Sequence, residues 1–397
     1  MLVAMLEDAH HSCGTCGVRA PVSALTWNCP RCAGPWDLDF TASPVPRGAP
    51  AGRVGPLWRY EEALPLSDPY VTLGEGRTPL VRLTDTVSAK LDHLMPTLSF
   101  KDRGAALLVE LARRLGPDRV VCDSSGNAGT AVAAYCARAG LDCTVYVPES
   151  TPPKKLEQIR ARGARPEVVP GGREAAARAA RAAAGAPGVF YASHADNPYF
   201  LHGTKTYVYE LWEDLGGRLP DTLVVPVGNG TLLLGAALAT AELLAAGLVD
   251  RRPPLVAVQA EPVAPLARAF AAGAADAEPV PPAPTLAEGI AVPHPRRARQ
   301  VLRAVRESGG TFRTVTDAGI RDAQLDLARR GLFVEPTGAA CWAAVAAEPP
   351  RGQTMVPLCG AGAKTGLAAG DPDGDLAVAD GTGHGGVCPN PAIPPGS

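Results

Sequence analysis

From Lys101 onward the chain switches between two hydrophobic rhythms. Lys101 to Leu115 carries apolar residues at helical spacing, and Arg119 to Asp123 is a short apolar run of strand length. The same alternation continues with a helix over Ala128 to Ala139, a strand over Asp142 to Val147, a helix over Pro153 to Arg162 and a strand over Pro166 to Val169. An alanine-rich helix then runs to Ala184, followed by a strand over Val189 to Ser193 and one helix from about Pro198 to Leu215. Leu223 to Val227 reads as a buried strand before a glycine loop and a long apolar helix. Further strands fall at Leu255 to Gln259, at Thr311 to Val315 with a helix after it, and at Met355 to Leu358. Strands alternating with helices of ten or more residues predict a parallel sheet covered on both faces. Ligands of such sheets sit at the carboxyl ends of the strands.

The 397 residues allow two or three domains at roughly 150 residues each. With 46% hydrophobic and 20% charged residues a large packed core is expected, and a net charge of −2 gives no general polyanion-binding character. Neither a nucleic-acid nor a membrane partner is expected. The start, MLVAMLEDAHHSCGTC, has no basic segment or apolar core of signal-peptide length, and Leu232 to Val249 holds Glu242 and two glycines, as a buried helix does. The expected compartment is a reducing cytoplasm. Lysine is scarce: six of the 38 basic residues are lysine and the rest arginine, so a lysine inside a motif is not background.

Before the alternating region stand two Cys-x-x-Cys knuckles, Cys13/Cys16 and Cys29/Cys32, twelve residues apart. Thiolate pairs two apart on tight turns can close a tetrahedral zinc site, and four sulfurs leave no open position, so the expected metal is structural. Chance clustering and redox cysteines are the competing readings, and His10 and His11 are bystanders. Residues 41–56 are rich in proline and glycine and read as a linker, which makes residues 10–40 a zinc ribbon appended to a body over 57–370. Residues 371–397 read as a loose tail.

Four runs carry chemistry. In Pro96 to Gly104 (PTLSFKDRG), Lys101 opens a helix whose positive N-terminus disfavours an ammonium, which suits a nucleophilic amine and a Schiff base; taken alone it is also an ordinary surface lysine. Ser124, Ser125, Gly126, Asn127, Ala128 and Gly129 form a small-residue turn into a helix, either an anion loop or a tight turn. Gly228, Asn229, Gly230, Thr231 and Leu232 form a second such turn. It lacks the Gly-Lys-Ser/Thr of a P-loop and the spacing of the dinucleotide fingerprint, and suits a monophosphate. Cys359 ends a strand before Gly-Ala-Gly, as a buried core cysteine also can. A reactive lysine, a carboxylate-sized anion loop, a phosphate loop and a small polar group at a strand end together meet the needs of pyridoxal phosphate.

These runs occur in order with LGEGRTPL at Leu73 to Leu80, NPY…G…KT at Asn197 to Thr206, TLAEGIA at Thr285 to Ala291 and Glu335-Pro-Thr-Gly338. Over about residues 10–370 the chain resembles the threonine synthase branch of the fold-type-II pyridoxal-phosphate enzymes, within the tryptophan synthase beta superfamily. Some archaeal and actinobacterial-type members of that branch also begin with a cysteine knuckle pair. The resemblance implies an α/β fold of two three-layer αβα domains with mostly parallel sheets, the smaller over about 104–205, and a homodimer. It implies that Lys101 holds the cofactor as an internal aldimine and moves the substrate's α-proton. Asn127 bonds the ring oxygen, Ser99 and Ser124 to Gly129 bind the substrate, Gly228 to Leu232 cradle the phosphate, and Cys359 faces the ring nitrogen. A thiol there leaves the nitrogen unprotonated, which favours elimination and replacement over transamination.

The implied activity is that of a lyase: O-phosphohomoserine plus water to threonine plus phosphate. The alternative is β-elimination or β-replacement on serine, threonine or an O-phosphoserine-type substrate in a specialised pathway. A zinc-ribbon interaction protein with a dead enzyme body is opposed by the intact Lys101 and Asn127. Where the branch usually reads K-L-E-x-x-N-P-T-G-S-F-K-D-R, this chain has Met95 for Asn and Leu98 for Gly, and His202 stands where an acidic residue is common. These changes leave the cofactor site intact and predict a substrate pocket poorer in polar contacts.

Overall fold

A computed structural model describes residues 9–53 and 55–367. The ribbon strands β1 (His10–Ser12), β2 (Arg19–Pro21) and β3 (Asp37–Leu38) pair antiparallel in the order β2-β1-β3. The body opens with β4 (Leu80–Arg82) and β5 (Val87–Lys90), an antiparallel hairpin. Then come α1 (Lys101–Leu115), β6 (Arg119–Cys122), α2 (Asn127–Ala139), β7 (Cys143–Pro148), α3 (Pro153–Arg160), β8 (Arg165–Val169), α4 (Arg173–Ala183) and β9 (Val189–Tyr191). After α5 (Pro198–Thr204) and α6 (Thr206–Asp214) the chain continues as β10 (Thr222–Pro226), α7 (Thr231–Ala245), β11 (Leu255–Ala260), α8 (Pro265–Ala271), α9 (Ala298–Glu307), β12 (Thr311–Val315), α10 (Asp317–Arg329), α11 (Pro336–Ala347) and β13 (Thr354–Pro357).

Four strands make a parallel sheet in the order β8-β7-β6-β9, and six make a second in the order β12-β11-β10-β13-β5-β4, parallel except for the hairpin. The central strands bury both faces, with successive side chains entering opposite layers. In β6 and β9, Val120, Cys122 and Phe190 join a core with α1, α2 and α5, while Val121, Val189 and Tyr191 join a separate one with Ala180 of α4. In the larger sheet Leu223, Val225 and Ala257 pack under α6, α7 and α9, and Val224, Val256 and Val258 under α10 and α11. The three-layer α/β architecture read from the sequence is thus present in both sheets.

Several expectations are corrected. The helix expected from Pro198 to Leu215 is two helices meeting at Lys205. The helix from Lys101 is not a surface helix: Asp102 to Ala112 are all buried, because it packs against α2 and α5 over the smaller sheet. Gly104 meets the Phe200 ring of α5, and any Cβ there would overlap that ring. The stretch read as a linker is packed on the body, with Val45 buried in the core of the larger sheet and Arg47 donating to the Leu248 carbonyl at 2.8 Å. The expected tail, residues 371–397, lies outside the described residues. Among the described residues no helix is long and apolar enough to cross a membrane.

Candidate active site and metal centre

The predicted chemical runs converge where the carboxyl ends of both sheets face one another. Phe100 N–H donates to the Cys359 carbonyl at 2.9 Å, and Ser99 bridges Gly360, so the strand end after β13 fixes the residues before Lys101. Glu335 lies against Gly360, which has no room for a Cβ, and accepts from Asn127 Nδ2 through both oxygens at 3.0 Å. Thr337, two residues on, accepts from Gly289 N–H at 3.1 Å, and a Cβ on Gly228 would lie 3.1 Å from the Gly289 carbonyl. Asn229 Nδ2 is 3.4 Å from His194 Nε2, and the His194 ring meets Phe200 edge-on at 5.8 Å. Phe200 and Phe100 flank the Lys101 ammonium at 5.7 and 4.5 Å from their ring centroids. Motifs distant in the sequence thus form one continuous ring about Lys101.

Among the described residues Lys101 has no carboxylate partner. Burial lowers its pKa from 10.5 to about 8, with Arg173 adding to the fall and Cys359 and Glu335 opposing it. Burial, more than the helix terminus, is therefore what makes this amine available. Burial likewise raises Glu335 and holds the Cys359 thiol well above its ordinary range, so the thiol stays neutral. His194 is held well below its usual value by burial, with Lys101 and Arg173 adding to the effect, and is a neutral imidazole.

Both predicted anion loops enter helices that have no side-chain cap, the N-cap residues being Gly126 for α2 and Gly230 for α7. Their first N–H groups are left without partners inside the helix. Ser124, Ser125, Gly126 and Asn127 are half-buried, and Ala128 and Gly129 are buried. Gly129 admits no side chain, because a Cβ would overlap the Ser124 carbonyl. Gly228, Thr231 and Leu232 are buried at the head of α7. The Ser99 hydroxyl is buried without a hydrogen-bond partner. An orphaned hydroxyl, two uncapped helix starts, a low-pKa lysine and a neutral thiol are a donor set that fits pyridoxal phosphate and an amino-acid carboxylate. Asn127 is already engaged at both ends, since its Oδ1 accepts from Lys364 Nζ at 2.6 Å. A ring-oxygen contact would have to replace its bond to Glu335.

The departures from the family pattern differ in place: Leu98 stands at the edge of the ring, its carbonyl accepting from Ala361 N–H at 3.1 Å beside Gly360. Met95 is buried and its sulfur accepts from Gly76 N–H at 3.2 Å, while Leu98 has a φ of 62° and is 40% exposed. His202 is buried and its Nδ1 lies 2.9 Å from Lys205 Nζ, which also pairs with Glu242 at 2.7 Å. Sequence reasoning gave no role to His194, Phe200, Glu335, Lys364 or Arg173. His194 was findable, because it directly follows a predicted strand, at the end where ligands bind.

In the ribbon the sulfurs of Cys13, Cys16, Cys29 and Cys32 all lie within 4.8 Å of one another, and neither His10 nor His11 joins them. Trp36 packs beneath with Cys13 and Cys29. This clustering fits a tetrahedral four-sulfur site.

Residues 71–360 match the family described as pyridoxal-phosphate dependent enzyme. The threonine synthase of Methanosarcina acetivorans is 33% identical over 343 residues, 83% of this chain and 84% of that protein. Among solved structures, an L-serine ammonia-lyase from the fungus Rhizomucor miehei shares the fold with a TM-score of 0.64 at 22% identity, over 72% of this chain and 94% of its own. A pyridoxal 5'-phosphate-dependent aspartate racemase is 27% identical with a TM-score of 0.58, over 69% of this chain and 83% of its own. With Lys101, both helix-start loops and the Cys359 strand end gathered at one place, the chain belongs to the pyridoxal-phosphate-dependent enzymes of fold type II, as a lyase of the threonine synthase-like branch.

Proposed function

We propose that this enzyme performs elimination and replacement at Cβ or Cγ of an α-amino acid, with O-phosphohomoserine plus water to threonine plus phosphate as the leading reaction. When bound, pyridoxal phosphate supplies the electron sink that stabilises charge at the substrate Cα. Lys101 would hold the cofactor and would take and return the Cα proton; an amine of pKa about 8 is suited to both tasks. The N–H groups from Gly228 to Leu232 hold the cofactor phosphate, with Asn229 and Thr231 beside them. Ser124 to Gly129 take the substrate carboxylate at the start of α2, and the unpartnered Ser99 hydroxyl is a further donor for it. Asn127, released from Glu335, would hold the ring oxygen, and the neutral Cys359 thiol would supply no acid to the ring nitrogen. The observation that carries this reading is the unpartnered, low-pKa Lys101 inside the closed ring of motifs.

A second reading, β-elimination from serine, threonine or an O-phosphoserine-type substrate, is supported by the wall beside Lys101. Phe100, Phe200 and a neutral His194 carry no charge, which leaves Arg173 as the side-chain cation acting on Lys101 and His194 there. One assay separates the two. Loaded with pyridoxal phosphate, the enzyme is given O-phospho-L-homoserine, L-threonine and L-serine in turn, with released phosphate and 2-oxo acid both followed. Phosphate with threonine supports the first reading and 2-oxo acid with ammonia the second. A protein that takes up no cofactor refutes both.

The same reading includes a structural zinc on Cys13, Cys16, Cys29 and Cys32, a small amino acid as substrate and work as a homodimer in the cytoplasm. The nine described cysteines are all free, which suits a reducing compartment.

A further inference from the structure

The ribbon is joined to the body by a buried guanidinium. Arg297, fully buried at the N-cap of α9, donates through Nε to the Ala195 carbonyl at 2.6 Å. One terminal nitrogen donates to the Trp36 carbonyl at 2.6 Å and the Asp196 carbonyl at 3.0 Å. The other reaches Asp37 at 3.0 Å and Gln300 at 2.7 Å. One side chain therefore binds the ribbon, the larger-sheet unit that carries α9 and the segment that leaves β9. Its neighbours repeat the pattern. Trp36 N–H donates to the Asp196 carbonyl at 3.2 Å, and Arg296 links the Asp196 carboxylate at 3.0 Å to the Ala33 carbonyl at 2.8 Å. Trp27 of the ribbon meets Tyr191 of β9 edge-on at 5.4 Å.

The gripped segment is part of the active-site wall. Ala195 follows His194, whose ring stands between Asn229 of the phosphate-cradling loop and Phe200 beside Lys101. A backbone held at Ala195 and Asp196 leaves the His194 side chain little freedom to withdraw. We propose that Arg297 is a positioning residue that makes the ribbon a clamp on this wall, so that ribbon docking sets the place of His194 and with it the efficiency of turnover. The proposal rests on the ring about Lys101 being the active site.

The test uses the full chain loaded with zinc and pyridoxal phosphate, and whichever of O-phospho-L-homoserine or L-threonine the parent turns over. Arg297→Ala is expected to lower kcat/KM by about tenfold or more, to alter the visible circular dichroism of the bound cofactor and to keep its zinc. Added guanidinium should restore at least part of the lost rate, which repair of a merely structural defect elsewhere would not achieve. Arg299→Ala, two residues on at an exposed pair with Asp276, should change none of these. If Arg297→Ala does not fold, Asp37→Asn, which weakens only the ribbon side of the clamp, should lower kcat/KM severalfold. Arg297→Ala with kcat/KM within about twofold of the parent and unchanged dichroism overturns the proposal, as does a loss that guanidinium leaves untouched. A parent that binds no cofactor overturns the functional reading itself.

Discussion

Lys101 and Arg103 stand two residues apart on α1, both cationic, the first half-buried and the second fully buried, yet their surroundings give them opposite fates. Arg103 is held by Asp92 at 2.8 Å and by Glu210 at 2.6 Å, with Thr206 at 3.1 Å, and these carboxylates raise it well above an already high pKa. Lys90 joins the same network through Glu210 at 3.0 Å. Lys101 has two phenylalanine rings and, among the described residues, no ion pair, and burial takes its pKa down to about 8. Burial with matched partners makes a structural charge; burial without them makes a reactive amine.

The comparison breaks most visibly at Lys101. Lys101→Met should abolish turnover, by roughly a thousandfold or more, and remove the visible absorbance of lysine-bound cofactor. It should also change the pH dependence of stability in the cofactor-free protein. Below pH 8 both folded and unfolded Lys101 are protonated and the folded state bears the cost of a partly desolvated ammonium. As pH rises from about 8 to 10.5 the folded amine is neutral while the unfolded one is still charged, so that cost is lifted. Denaturant unfolding should therefore find the Met variant more stable than the parent at pH 7, with the gap closing by pH 10.5. A constant gap would contradict the assigned environment.

Arg103→Met acts in the opposite sense. It strands Asp92 and leaves Glu210 with Lys90 as its cation, and should cost about 3–5 kcal/mol at neutral pH by denaturant unfolding. A loss below about 1 kcal/mol would mean that the network is not what fixes α1.

Cys16→Ser comes next. It should lose the ribbon's zinc by metal analysis and lower turnover severalfold, while most of the cofactor absorbance remains, because no cysteine of the ribbon touches the ring about Lys101. Zinc-free protein freshly purified under reducing conditions would refute the metal site.

Much of this organisation is legible in the sequence because its signals are local. Strand-to-helix turns are marked by Gly126 and Gly230, and the knuckles by the spacing of Cys13, Cys16, Cys29 and Cys32. What is not legible depends on packing between distant segments. Helix α11 is buried on every side from Pro336 to Val345, so it has no polar face to set a helical period. The β4–β5 hairpin consists of strands of three and four residues, too short for a pattern. Arg297 is hidden by composition, because arginine is the ordinary cation of this chain and nothing in HPRRARQ distinguishes the buried one. The fate of Lys101 itself turns on Phe200, which reaches it only through the crossing of α5 over Gly104.

The smallest effect is expected at the altered positions before Lys101. Leu98 adopts a left-handed conformation at φ 62°, which costs a branched residue roughly 1–2 kcal/mol. Met95→Asn with Leu98→Gly should relieve that strain, offset in part by the freedom of glycine in the unfolded chain, for a net change within about 1 kcal/mol. The pair should raise phosphate release from O-phosphohomoserine. A parent that already converts this substrate efficiently to threonine would show the two departures to be neutral.

The central claim, that Lys101 is the one amine made reactive by burial without a partner, is tested most directly by reducing the pyridoxal-phosphate-loaded protein with borohydride and mapping the tagged peptide by mass spectrometry. Lys205 is the informative competitor, since its pKa is also lowered to about 8, but it is tied to Glu242 and His202. The account predicts the tag on Lys101 alone among the six lysines. A tag on Lys205 or Lys364, or none at all, would contradict it.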